Sequence, residues 1–483
     1  MSTTLSSATP ETPDSPPRPA STRATLIRLV QRLHFYAGVL IAPFLLIAAV
    51  TGALYAVSPS AEQLIYRHQL HTDSSGPAKS VAEQVRAAQA VRPDLQVTAV
   101  QPATEPGATT RVLFSDPSLG ESERLAVFID PVTGESLGQL ASYGSSGALP
   151  VRTWIDQLHR SLHLGEPGRM YSELAASWLW VVALGGLVMW AVQVRKRRRA
   201  TGSGSMLRGL PRMRGRGRTI SRHGVIGTWI AVALLFLSAT GLTWSTYAGE
   251  HVTELRSALN WTTPTVDSSL TGTPQAAGGE HADHQMSGSG SMSGAMPSAD
   301  EVAGIDGAIA IARANGIGGP VEVTIPDNAS TAFVVAQNRV PWRMSTSSIA
   351  VDPSRDAVVD VNDFSDWPLA AKLSAWGIQL HMGLLFGLAN QLLLFAVMIA
   401  LIVAIVLGYR SWWQRRSRTR RIGAPPARGA LRELPLPLTL AIAVAAVAIG
   451  WFIPLLGWPL LAFLVVDTVI GAVRTRGLES AAK

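Results

Sequence analysis

Four histidines recur at matched places in this chain, and imidazole suits iron or copper in a sequence that contains no cysteine. His34 is followed by Gly38, Thr51 and Gly52, and His223 by Gly227, Thr240 and Gly241, each residue displaced by 189 positions. A second match sets Leu158, His159 and Gly165 against Leu380, His381 and Gly387, displaced by 222. A histidine in or beside an apolar run is costly unless partnered, so four in register read as a site. Two neutral imidazoles from facing helices are what the iron of a b-type haem takes as axial ligands. Pairing by symmetry gives His34 with His223 at one end and His159 with His381 at the other, and two haems held so would form an electron path through the bundle. Gly38 and Gly52 lie on the His34 face, as Gly227 and Gly241 lie on the His223 face, where a bulky planar group could approach the backbone. Small residues serve equally for close packing of membrane helices. His163 falls four residues after His159 on the same expected face and could replace it, but its counterpart Leu385 is apolar, which favours His159.

The elements that must position these residues are apolar. Of 483 residues 47% are hydrophobic and only 15% charged, a balance that points to the membrane, and a crossing helix needs about 20 apolar residues. Spans are expected at 34–57, 174–194, 225–246, 390–410, 436–453 and 455–473, the first four forming a duplicated core and the last two a hairpin around Pro454. The fold class is thus a mainly α membrane protein of about six spans. The net charge of +8 is clustered, with eleven Lys or Arg in 195–222, eight in 410–432 and four in 1–34. Each cluster abuts a span end, the pattern of cytoplasmic loops, so both termini and the loops 195–224 and 411–435 are expected inside, and nucleic acid is not the partner. The leader 1–33 reads as disordered and lacks a cleavable signal, making the first span an anchor, and 474–483 reads as a cytoplasmic tail.

The two long segments between spans, 58–173 and 247–389, are expected outside, each holding a small α+β domain with its core at 78–140 and 300–363. In each, a helix precedes strands, and an apolar strand enters an Asp-Pro turn, at Asp130-Pro131 and at Asp352-Pro353. Residues 264–299, rich in Ser, Gly and Ala, read as a flexible linker. Its His281, His284 and Met286 form an imidazole and thioether set that suits copper, which keeps a metal-handling reading open. Asp467 is the lone carboxylate within the expected spans, so an ion pump is disfavoured. No HExxH, GxSxG or Walker motif is present, and no nucleotide-binding motif, so electrons would come from a separate donor and catalytic residues stay unassigned.

The passages "LHFYAGVLIAPFLLIAAVTGALYA" at 33–56, "RHGVIGTWIAVALLFLSATGLTWS" at 222–245 and "LHMGLLFGLANQ" at 380–391 resemble the PepSY-associated transmembrane family, which includes iron-regulated membrane proteins and ferrisiderophore reductases. The resemblance runs from about residue 28 to 473 and makes the two Asp-Pro hairpins look like PepSY domains. It implies a four-helix core in the inner membrane that binds two b-type haems through His34, His159, His223 and His381. Such a core would draw electrons from a cytoplasmic or quinol donor and reduce an extracytoplasmic ferric chelate. The alternative is a non-enzymatic envelope module whose PepSY domains bind peptides or regulate a peptidase.

Overall fold

A computed structural model describes residues 21–271, 298–415, 426 and 433–481, with the side chains of 467, 468 and 471–481 excepted. Four of its helices are long and apolar enough to cross a membrane: α2 (Ala42–Ile65), α6 (Glu166–Thr201), α7 (Gly215–Thr243) and α11 (Gly387–Trp413). Helix α1 (Thr22–Leu40) leads into α2 through a break at Ile41. The break follows from Pro43, which has no N–H and whose ring displaces the carbonyl four residues back. That carbonyl, on Val39, accepts from the Tyr409 hydroxyl of α11 at 2.9 Å instead. A buried stripe of Ala49, Trp178, Leu234 and Leu401 fills the bundle interior, whereas Val232 on α7 stays 80% exposed, facing outward as a lipid-contacting residue would.

Helices α12 (Leu436–Phe452) and α13 (Pro454–Ala481) form an antiparallel hairpin against the bundle, in which the Trp178 indole donates to Leu455 O at 3.1 Å and Leu456 is buried. The apolar parts of these two helices are shorter than those of the four long ones.

Between the spans lie eight strands: β1 (Gln96–Gln101), β2 (Thr110–Ser115), β3 (Glu123–Ile129) and β4 (Ser136–Tyr143), then β5 (Val321–Thr324), β6 (Phe333–Gln337), β7 (Ser348–Asp352) and β8 (Ala357–Asn362). The sequence reading expects two separate domains, but the strands form one antiparallel sheet in the order β4-β3-β2-β1-β5-β6-β7-β8. The join is the pairing of Ala99 with Thr324 and Val100 with Val323, edge to edge across the two repeats. An edge strand with a free ladder is a template for pairing, and each repeat covers the other's exposed edge. Helices α4 (Val81–Val91) and α9 (Ala299–Ala314) pack on one face and share a core containing Val85, Phe114, Ile305 and Ile349. Both open on the same capping box, Ser80 with Glu83 and Ser298 with Glu301, and the Asp306 carboxylate of α9 accepts from the Val81 and Ala82 N–H groups at the start of α4.

The histidines near the sheet do not sit within long helices running through the bilayer. His159 lies near the end of α5 (Pro150–Ser161) and His381 closes α10 (Leu369–His381), each separated from its span by a turn. Gly165 and Gly387 carry φ of 61° and 54° in these turns, a left-handed conformation that explains why glycine recurs there. Buried Glu62 of α2 accepts from the Leu149 N–H at the start of α5 at 2.7 Å, tying that helix to the first span.

Candidate functional site

The structure gathers the four repeated histidines in two places inside the bundle, one toward each end. At the basic end, His34 of α1 and His223 of α7 face each other with ring centroids 6.3 Å apart. Two imidazoles sharing one metal through Nε2, each at about 2.0–2.1 Å, hold their centroids roughly 6 Å apart. The pair therefore has the separation that a common metal requires.

The tautomers follow from the partners of Nδ1. His34 Nδ1 lies 2.9 Å from Val182 O and His223 Nδ1 lies 2.8 Å from Ala404 O, and a carbonyl only accepts. Nδ1 therefore carries the proton and Nε2 the lone pair. The carbonyls repeat the duplication, since 404 − 182 = 222. Both contacts need a thin helix surface, and glycine provides it: a Cβ at Gly186 would lie 3.0 Å from His34 Cε1, and one at Gly408 would lie 3.6 Å from His223 Cε1. The sequence reading missed Gly185, Gly186 and Gly408, although Gly186 and Gly408 are themselves 222 apart and could have been found that way.

At the sheet end the same logic uses threonine. Thr51 Oγ1 donates to Ile47 O at 2.9 Å and stands 2.9 Å from His159 Nδ1. Thr240 Oγ1 donates to Phe236 O at 2.9 Å and stands 2.6 Å from His381 Nδ1. Each hydroxyl proton is thus spent on its own helix, so the oxygen accepts from Nδ1–H and again leaves Nε2 bare. Burial holds His159 at about 4, and burial with the neighbouring His159 charge holds His381 at about 3. Both rings are neutral at physiological pH, the form a metal needs.

Aromatic residues repeat beside them. Tyr55 stacks on His159 with centroids 6.4 Å apart and Trp244 meets His381 edge-on at 5.5 Å, and these two are related by the 189-residue displacement. They line a cleft together with Tyr143, Asp156, Arg339 and Met382, where the bundle meets the sheet. Asp156 breaks the symmetry, since its counterpart is Ile378. Burial pushes the Asp156 carboxyl up to about 6, against the pull of Arg160 and Arg152.

Other expectations meet different outcomes. Gly38 and Gly227 face open space, with nothing within 4 Å of an added Cβ. Gly52 does not: a Cβ there would lie 3.2 Å from His159 Cε1 and 3.3 Å from Met398 Sδ, and one at Gly241 would lie 3.5 Å from Ala176 Cβ. Those two glycines accommodate neighbouring side chains rather than a slot. His163 is not on the His159 face, because α5 ends at Ser161 and Leu162 and His163 turn left-handed with φ of 52° and 55°. Its exposed ring lies tilted against Trp154 with centroids 5.0 Å apart and Nε2 3.1 Å from Trp154 O. His281, His284 and Met286 lie outside the described residues. Among the described residues no group of three or more His, Asp or Glu could hold a metal ion, so either pair would supply two ligands and the rest would come from elsewhere.

The fit to a haem rests on the donor set: paired neutral imidazoles with Nε2 exposed as the lone pair, each oriented by an acceptor on Nδ1, with open space beside Gly38 and Gly227. A duplicated helical bundle with apolar spans and an antiparallel sheet between them defines a helical membrane protein with a polar domain at one end. Residues 31–415 match the family described as the PepSY-associated TM region, and the chain belongs to that family. A comparison with curated proteins returns no match.

Proposed function

We propose that the chain is a transmembrane b-type haem protein that passes electrons to an acceptor on the sheet side, a ferric chelate. The supporting observation is the pair His34 and His223, with centroids 6.3 Å apart and both Nδ1 atoms bound to carbonyls, repeated in kind by His159 and His381 on threonines. A haem held at either pair supplies one-electron chemistry between ferric and ferrous iron. The protein's part is to fix the ring nitrogens, exclude water from the bundle and set the two sites at opposite ends. The positive loops support a cytoplasmic basic end, with the sheet, read as a pair of PepSY domains, outside and the cell membrane as the location. Electrons enter from a cytoplasmic or quinol donor, and the cleft beside Tyr55 and Trp244 is where the acceptor approaches.

Absorption spectroscopy tests this. Protein purified from cells with ample haem is expected to show bands that sharpen with dithionite, with two haems per chain. His34→Ala or His223→Ala is expected to remove one haem, and His159→Ala or His381→Ala the other. Colourless protein overturns the proposal and leaves the peptide-binding reading.

A further inference from the structure

The basic end of the bundle carries a feature that the redox reading does not use. An open groove of about 430 Å³ runs between α1 and α6 and is lined by Arg23, Ile27, Val192, Arg195, Lys196 and Arg199. Its α6 residues fall at i, i+3, i+4 and i+7, so one helical face presents the valine and then three cations in succession. Arg23 and Ile27 face them from the first turns of α1. No acidic side chain lines the groove, and among the described residues the side chains of Arg23, Arg195, Lys196 and Arg199 make no ion pair or hydrogen bond. Four unpaired cations held together repel one another unless an anion is present.

Depth decides which anion. The apolar part of α6 ends near Val194 and the cations begin at Arg195, so a bilayer centred on the apolar stretch would bring its phosphates to these side chains. Ile27 and Val192 form an apolar wall just below the charges, and a soluble anion has no use for one. We propose that this groove is a headgroup site for an anionic phospholipid of the leaflet at the basic end, a lipid of cardiolipin type whose two phosphates match the four cations. Arginine forks bind phosphate oxygens in pairs, lysine adds a point charge, and the first carbons of an acyl chain run down along Ile27 and Val192.

Native mass spectrometry of the full chain in detergent, titrated with cardiolipin, phosphatidylglycerol and phosphatidylcholine, tests the proposal. Cardiolipin is expected to bind at least tenfold more tightly than phosphatidylglycerol, with phosphatidylcholine weaker still. The triple variant Arg195→Gln, Lys196→Gln, Arg199→Gln is expected to bring cardiolipin down to the phosphatidylglycerol level. A control that removes equal charge from the adjoining loop, Arg208→Gln, Arg212→Gln, Arg214→Gln, is expected to keep the preference. Should the triple variant insert poorly, Arg23→Gln alone is expected to weaken cardiolipin several-fold in a protein with its loop charges intact. Equal cardiolipin binding by wild type and groove variants overturns the proposal, as does equal binding of the two anionic lipids. Displacement of cardiolipin by stoichiometric pyrophosphate would assign the groove to a soluble phosphate instead and overturn the lipid. None of these readouts depends on haem.

Discussion

An imidazole is prepared as a metal ligand when something else takes charge of its second nitrogen, and the histidines proposed to hold haem have theirs engaged in two ways. At the basic end the acceptors are main-chain carbonyls, and at the sheet end they are threonine hydroxyls, which can be removed by mutation. Thr51→Val keeps the shape but takes away the acceptor of His159 Nδ1–H, and second-sphere losses of this kind cost about 10–100-fold in affinity. Haem titration of the apoprotein is expected to show that loss at the sheet-end site alone, with Thr240→Val giving the same result through His381. Asp156 supplies a second prediction at this scale. Its carboxyl is held at about 6 in the folded protein against an ordinary 3.8, so the unfolded chain releases the proton first. Stability therefore falls as pH rises from about 4 to about 6 and stays reduced above that. Asp156→Asn is expected to remove this loss, with denaturant unfolding showing it more stable than wild type at pH 7 by about 2–3 kcal/mol and no more stable at pH 4. Of these residues the sequence showed the histidines, because a polar ring is conspicuous in an apolar run. It gave no sign of Val182 O or Ala404 O, since any residue offers a carbonyl.

Helices position the site through what they lack. Gly186 lets α1 lie close enough to α6 for His34 to reach Val182 O, and Gly408 does the same between α7 and α11 with more room. The difference gives a graded prediction. A methyl at 186 would sit 3.0 Å from the His34 ring, tighter than a rigid neighbour accepts, whereas at 408 the nearest ring atom is 3.6 Å away, ordinary contact. Gly186→Ala is expected to destabilise the bundle by about 1–3 kcal/mol and, on the proposed function, to perturb the absorption of a haem held at His34 and His223. Gly408→Ala is expected to leave both within error, as read by thermal melting in detergent and by absorption. The spans themselves were legible because hydrophobicity over some twenty residues leaves few alternatives. Helix ends were not. His159 and His163 fit one helical face by spacing, yet the left-handed turn at Leu162 separates them, and leucine carries no turn signal.

At the scale of the molecule, duplication produced one polar domain from two halves, which local sequence could not announce. Each repeat shows its own helix, strands and Asp-Pro turn, and periodicity within a repeat says nothing about which edge strand meets which. The decisive contacts cross the junction: Glu322 of β5 accepts from Arg124 of β3 at 2.8 Å and from Gln101 of β1 at 2.7 Å, beside the pairing of Val100 with Val323. Arg124 is only 6% exposed, so removing Glu322 would leave a buried guanidinium without its partner. Glu322→Ala is therefore expected to cost about 3 kcal/mol, while the double variant Arg124→Leu, Glu322→Leu, which removes both charges, is expected to recover most of it. Because the core from Val85 to Ile349 is shared by both halves, hydrogen exchange should show β2–β4 and β6–β8 losing protection together in Glu322→Ala. Independent domains would behave differently, with the two groups of strands opening at separate free energies and the substitution sparing one of them. Joint loss would mean that the strands flanking Tyr143 and Arg339 move as a unit, so the cleft above His159 and His381 is held by both repeats at once.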